Sequence, residues 1–193
     1  MELRERILEA AAAVYAETGF RGATTRRIAE RAGVNEITLF RHFGSKTMLL
    51  HEAVRCAGLE PNLCPLPDRP GEPFTDLRDW ARNSFEWLYE RRSLIRTAMG
   101  EMDERPDLLP ADRSPAVCAG QALAQYLLRL QETGVIGADV DVRAAAMMFM
   151  GTIFSDAITR DFVPAAYRPA PETSIEQYVT LFTRALGIKE QAR

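Results

Sequence analysis

Glu36, Thr38, Arg41 and His42 place four hydrogen-bonding side chains within seven residues. Their types suit the edges of bases or the phosphates beside them. An arginine can take a guanine through two parallel bonds, worth roughly 1–3 kcal/mol of discrimination. Glu36 can accept from a cytosine amino group, or it can simply complement a helix N-terminus. Ile37 stands apolar inside this polar run. Facing outward it would meet a thymine methyl; facing inward it would be core. Arg26, Arg27 and Lys46 add cations where helices are expected to begin, positions at which acidic residues are the locally stable choice. A phosphate there would accept backbone N–H groups and neutralise the cations together. Any one of these charges reads equally as solvated surface, but three such breaches within 21 residues favour an anion.

Capped, punctuated segments must hold these side chains. A first helix is expected from about Leu3 to Thr18, with Leu3, Ile7, Leu8, Ala11, Val14 and Tyr15 on one apolar stripe and Gly19 as a left-handed stop. Thr24 caps a second helix ending near Ala32, with Ile28 and Ala29 facing inward. Gly33-Val34 makes a turn, and Asn35 caps a helix from Glu36 to about His42, pinned by Ile37 or Thr38 and then by Leu39 and Phe43. Ser45 caps a fourth helix carrying Met48, Leu49, Ala53 and Val54 inward. Two short helices around a glycine turn are the layout of a helix-turn-helix, whose second helix enters the major groove of DNA.

Beyond this head, five prolines between Leu59 and Pro73 exclude a helix or a central strand. Further helices are expected at about 75–89, 93–102, 115–132, 140–161 and 173–186. No segment sustains period-two alternation, so the fold class expected is all-α. The domains expected are a DNA-reading head at 1–57, a Pro-rich linker at 58–74 and a helical domain at 75–193.

Charge follows that division. Residues 1–55 carry nine Arg/Lys against seven Asp/Glu, whereas the remainder carries fifteen against twenty. A basic head on an acidic body fits a DNA-reading end joined to something else, and weighs against a constitutive packaging protein. An enzyme would need a nucleophile with its base, paired carboxylates or metal ligands. Both histidines, His42 and His51, lie in the head, and there is no Gly-rich phosphate loop. Cys56, Cys64 and Cys118 have no metal-ligand spacing; they are expected as small buried hydrophobes in a reducing compartment. No catalytic group, metal or cofactor is therefore expected. With no signal peptide expected, and no apolar run near the roughly 18 residues a membrane span needs, the protein is expected to be cytoplasmic.

The run from Thr24 to Leu49 resembles the N-terminal signature of the TetR/AcrR family of bacterial transcriptional regulators. Cap, turn glycine, Thr38-Leu39-Phe40-Arg41-His42-Phe43 and Lys46 all sit at the family's spacing. The resemblance implies a homodimer whose two recognition helices enter successive major grooves of a near-palindromic operator, most often as a repressor released by a small ligand. It implies phosphate contacts from Thr25 and Lys46, and DNA-facing positions at Arg26, Glu36, Ile37, Thr38, Arg41 and His42. Many members carry tyrosine where this chain has Phe40, which cannot donate a hydroxyl and is left with apolar or sugar contact.

The same resemblance implies that the helical domain binds ligand and dimerises. Residues 144–158 are apolar almost all round, so more than one side must be covered. With the stripe Ile175, Tyr178, Val179, Phe182, Ala185 and Leu186, they would make a four-helix interface between two chains; a large monomeric core is the alternative. Trp80, Trp87, Met99, Tyr126 and Met147 would line an apolar effector cavity or simply fill core. Arg96, Glu101 and Asp103 are expected at the surface.

Overall fold

Apolar residues recurring every three or four positions become helix throughout. A computed structural model describes residues 2–59, 65–105, 115–167 and 169–188, and every regular element among them is helical. In chain order these are α1 (Leu3–Gly22), α2 (Thr25–Ala32), α3 (Glu36–Phe43), α4 (Lys46–Leu59), α5 (Pro73–Glu90), α6 (Arg92–Gly100), α7 (Pro115–Glu132), α8 (Val142–Thr159) and α9 (Pro171–Ala185). Cys64 and the centre of the proline-rich stretch lie outside the described residues.

The chain divides into two compact units, one built from α1–α4 with α6 and the other from α5 with α7–α9. That division differs from the one expected, which placed every residue after 75 in a single domain. The cause is α6: Leu94 and Ala98 are buried in one core with Ile7, Val14, Ile28, Leu39, Leu50 and Val54. Its apolar stripe marks α6 as amphipathic without naming the surface that covers it.

In the first unit, caps set the element boundaries. The Thr24 hydroxyl accepts from the Arg27 amide at 3.3 Å, Asn35 Oδ1 from the Ile37 amide at 3.0 Å and Ser45 Oγ from the Met48 amide at 3.1 Å. Gly33 turns the chain with φ 67° and ψ 40°, a left-handed conformation that costs glycine nothing. Arg6 donates to the Ala32 carbonyl at 2.9 Å, tying α1 to the end of α2. Gly19 interrupts the first helix where the stop is expected, with a positive φ (φ 66°, ψ −178°), and helical turns resume beyond it to Gly22. Met48, expected inward, is 61% exposed because Leu49 and Leu50 take the buried side of α4. Cys56 and Cys118, expected to be buried, are exposed free thiols.

In the second unit, Trp80 of α5 stacks on Phe149 of α8, and Phe149 on Phe182 of α9, with ring centroids 6.2 and 4.2 Å apart. Buried Tyr126 of α7 donates to Asp76 at 2.8 Å. Arg160 reaches past the end of α8, donating to the carbonyls of Tyr167 and Pro169 and to Ser174 Oγ at 3.1, 2.6 and 3.0 Å. Its charge is met by the fully buried Asp156 at 2.7 Å. Among the described residues, no helix is long and apolar enough to cross a membrane.

Candidate nucleic-acid interface

Leu39 and Phe43 lie on the inward side of α3 and are buried in the head core. Helical spacing then turns Ile37, Phe40 and Arg41 outward. Ile37 is 74% exposed and Phe40 is also exposed, an apolar pair on a helix otherwise edged by polar groups. The question that sequence leaves open for Ile37 is answered by this packing: it is not core. Arg41 and His42 are exposed, and the His42 ring leans on Phe43 with centroids 6.1 Å apart. Thr38 is half-buried at the edge of the same face.

The cations flank this surface. Arg26 and Arg27 occupy the first turn of α2, which contains no acidic residue, and both are exposed. Arg26 is paired with Glu30 one turn on, at 3.0 Å. That exposed, solvent-screened pair contributes little, so it leaves Arg26 able to turn to another anion. Thr25, half-buried beside them, donates its hydroxyl to Glu36 Oε2 at 2.7 Å. This bond links the start of α2 to the start of α3, and it engages one Glu36 oxygen that a cytosine would otherwise meet. Lys46 opens α4, lies over the Phe20 ring at 4.6 Å and reaches the Arg21 carbonyl at 3.5 Å. Partial burial, and then the nearby Arg105 charge, hold its ammonium below the usual lysine value.

The other residues named from sequence do not gather into one site. Trp80, Trp87 and Tyr126 are buried in the second unit. Met147 is 58% exposed on α8, and Met99 is exposed on α6 in the first unit. Glu101, expected at the surface, is half-buried: it accepts from the Tyr15 hydroxyl at 2.9 Å and the Phe20 amide at 2.8 Å. Arg105, not singled out in the sequence, lies 3.3 Å from the Phe20 centroid. Neither contact leaves a local signal, since both join segments far apart in the chain. Among the described residues, no group of His, Cys, Asp or Glu is arranged to hold a metal ion.

Fold and surface together define a helix-turn-helix protein built to meet DNA. Residues 7–53 match the model of the family described as bacterial regulatory proteins, tetR family. The chain is 29% identical over 184 residues to the HTH-type transcriptional regulator YvkB of Bacillus subtilis, spanning 95% of this chain and 96% of that one. A 52-residue stretch is 44% identical to the HTH-type transcriptional repressor KstR2 of Mycobacterium tuberculosis, covering 27% of this chain and 26% of the repressor. The crystal structure of a TetR-family regulator from Mesorhizobium loti shares the fold, with a TM-score of 0.76 at 21% identity over 95% of this chain and 96% of that one. Residues 7–53 thus carry a helix-turn-helix domain of the tetR type, and the chain as a whole is similar to an HTH-type transcriptional regulator.

Proposed function

We propose that the protein is a homodimeric repressor that binds a near-palindromic operator through α3 and is released from it by a small ligand. The observation that carries this reading is the outward face of α3. Ile37, Phe40 and Arg41 project there, with Arg26, Arg27 and Lys46 at the starts of the neighbouring helices. In this reading Arg41, Thr38 and His42 meet base edges, Ile37 meets a thymine methyl, and Thr25, Arg26 and Lys46 meet phosphate. Glu36 chiefly orients Thr25. Repression is supported by the name of the KstR2 relative, and operator symmetry by the two-fold logic of a dimeric helix-turn-helix.

The dimer would form through α8 and α9, whose outer faces carry Met147, Met148 and Leu181 exposed. The effector would enter the second unit near Trp80, Trp87 and Tyr126. Ser84, on the same α5 face as the two tryptophans, has a buried hydroxyl with no hydrogen bond among the described residues. It is the polar anchor such a cavity would offer an apolar ligand. A ligand releases DNA only if it binds the free form more tightly than the operator-bound one, by favouring heads that no longer match a groove repeat of about 34–36 Å.

Selection of bound duplexes from a random pool, followed by a screen of small molecules for release, tests the reading. A near-palindromic consensus and at least one releasing compound are expected. No preference over bulk competitor DNA at physiological ionic strength would overturn it. A consensus that no compound disturbs would leave a constitutive DNA-binding protein.

A further inference from the structure

Two cations from distant parts of the chain converge on one aromatic ring. The Lys46 ammonium lies 4.6 Å from the Phe20 centroid, and the Arg105 guanidinium carbon lies 3.3 Å from it. Lys46 opens α4, whereas Arg105 follows the end of α6. The meeting is held in place by a chain of hydrogen bonds. Gly19 kinks α1 and frees the Phe20 amide, which donates to Glu101 Oε1 at 2.8 Å, while the Tyr15 hydroxyl holds Glu101 Oε2 at 2.9 Å. The Arg105 amide in turn donates to the Glu101 carbonyl at 2.8 Å, so Arg105 sits one turn beyond the residue that docks on α1.

Like charges this close repel, and the ring's negative face offsets only part of that cost. The Glu101 carboxylate is close enough to favour the Lys46 charge, but the Arg105 charge opposes it more strongly. Both Glu101 oxygens accept from neutral donors, and Glu104 faces Arg21 at 3.5 Å, with both side chains exposed. Two cations that share one nearby carboxylate leave a surplus of positive charge, which is matched to an incoming anion. On a DNA-binding head, that anion is a backbone phosphate. A guanidinium brings paired donors for two phosphate oxygens, which complements the point charge of a lysine.

We propose that Arg105 is a second phosphate-gripping cation, acting beside Lys46 on the DNA backbone, with Glu101 as the positioning residue that holds the turn in place. This rests on the reading of Lys46 as a phosphate contact. It makes the turn after α6, outside the helix-turn-helix, a direct contributor to DNA affinity.

The test uses the full chain, a selected duplex and an unrelated duplex, each titrated across salt. Arg105→Ala is expected to weaken both duplexes by the same factor and to lower the slope of log affinity against log salt by about 0.9 for each chain bound. Arg105→Lys is expected to keep that slope. Glu101→Gln is expected to weaken binding in the native background and to add nothing in the Arg105→Ala background. A thermal melt accompanies each variant. An Arg105→Ala protein whose slope is unchanged overturns the proposal even if its affinity falls, because altered packing alone releases no counterion. If the slope falls for Lys46→Ala but not for Arg105→Ala, this proposal alone is lost; if it moves for neither, the reading beneath it is lost as well.

Discussion

The Tyr15 hydroxyl and Glu101 Oε2 meet at 2.9 Å, although 86 residues separate them in the chain. Tyr15 is fully buried, so this bond fastens the end of α6 to the core side of α1. It works in concert with Gly19, whose turn presents the Phe20 amide to the other Glu101 oxygen. Gly19→Ala tests that arrangement. The backbone at φ 66° and ψ −178° is a conformation essentially confined to glycine, and an added Cβ would stand 2.8 Å from Glu101 Oε1. A loss of about 1–3 kcal/mol is expected. It would be read as a lower urea midpoint at constant m-value, and an unchanged midpoint would show that the kink stores no constraint.

Tyrosine–carboxylate pairing recurs in the second unit, where Tyr126 donates to Asp76 at 2.8 Å and Tyr178 to Asp156 at 2.9 Å. Burial first, then the hydrogen bond to the carboxylate, pushes the Tyr178 phenol up to about 12 and those of Tyr15 and Tyr126 higher still. A raised folded-state value means that the native state holds the proton more tightly than the unfolded chain, whose tyrosines titrate near pH 10. Stability from these groups is therefore fully present below about pH 10 and is lost as pH rises toward about 12 and beyond. Denaturant midpoints measured through that window should fall, and Tyr178→Phe should make the fall shallower. Midpoints that stay level for the native chain would contradict the assignment.

The head is legible in the sequence because its boundaries are written in short-range chemistry. Thr24, Asn35 and Ser45 cap where their side chains can reach amides two or three residues on, and Gly33 takes the positive φ its turn requires. The direction of Ile37 is not legible: with Leu39 and Phe43 expected inward, either Ile37 or Thr38 could complete the buried side of an eight-residue helix, and packing leaves Ile37 exposed. The place of α6 is hidden too, because an apolar stripe carries no address for its partner. Glu101 reads as surface for the same reason, since both of its donors lie more than 80 residues away. In the second unit, apolar residue type alone cannot separate Trp80 and Tyr126, which are core, from Met147, which is exposed.

Asp156 and Arg160 are a buried pair whose charges have few other outlets. Asp156 accepts from Arg160 Nε at 2.8 Å and from the second guanidinium nitrogen at 2.7 Å, in addition to Tyr178. Removing the carboxylate leaves a nearly buried guanidinium uncompensated, a change that costs about 3–5 kcal/mol. Asp156→Ala should therefore destabilise the chain by that amount. Adding Arg160→Met should recover part of the loss, because an apolar side chain needs no counter-charge. If the double variant is as unstable as the single one, packing rather than charge is what Asp156 supplies.

Lys46 and Arg41 are assigned different tasks, and salt separates them. Lys46→Ala should weaken every duplex alike and lower the salt slope by about 0.9 for each chain bound, since the released counterions do not depend on sequence. Arg41→Ala should cost about 1–3 kcal/mol on the selected duplex and relax preference at one base pair. Binding isotherms on single-substituted duplexes read both effects. Equal, sequence-blind losses for the two variants would end the division between gripping and reading.

Leu181 tests the dimer. It is 66% exposed on α9, and Met147 and Met148 are exposed on the helix that packs beside it. Isolated apolar residues on a surface are ordinary, but these share the outer faces of two adjacent helices where Ala144, Gly151 and Ser155 are exposed as well. Small side chains allow close approach, and larger apolar ones supply the area a stable interface needs. An arginine at position 181 would have to be desolvated without a partner, a penalty large enough to separate two chains of 21.6 kDa each. Leu181→Arg should therefore sediment as one chain where the native protein sediments as two. It should also bind the selected duplex far more weakly, because a single head holds only one half-site. If the native protein already sediments as one chain at micromolar concentration, the operator must be read without two-fold symmetry, and α8 and α9 need another partner.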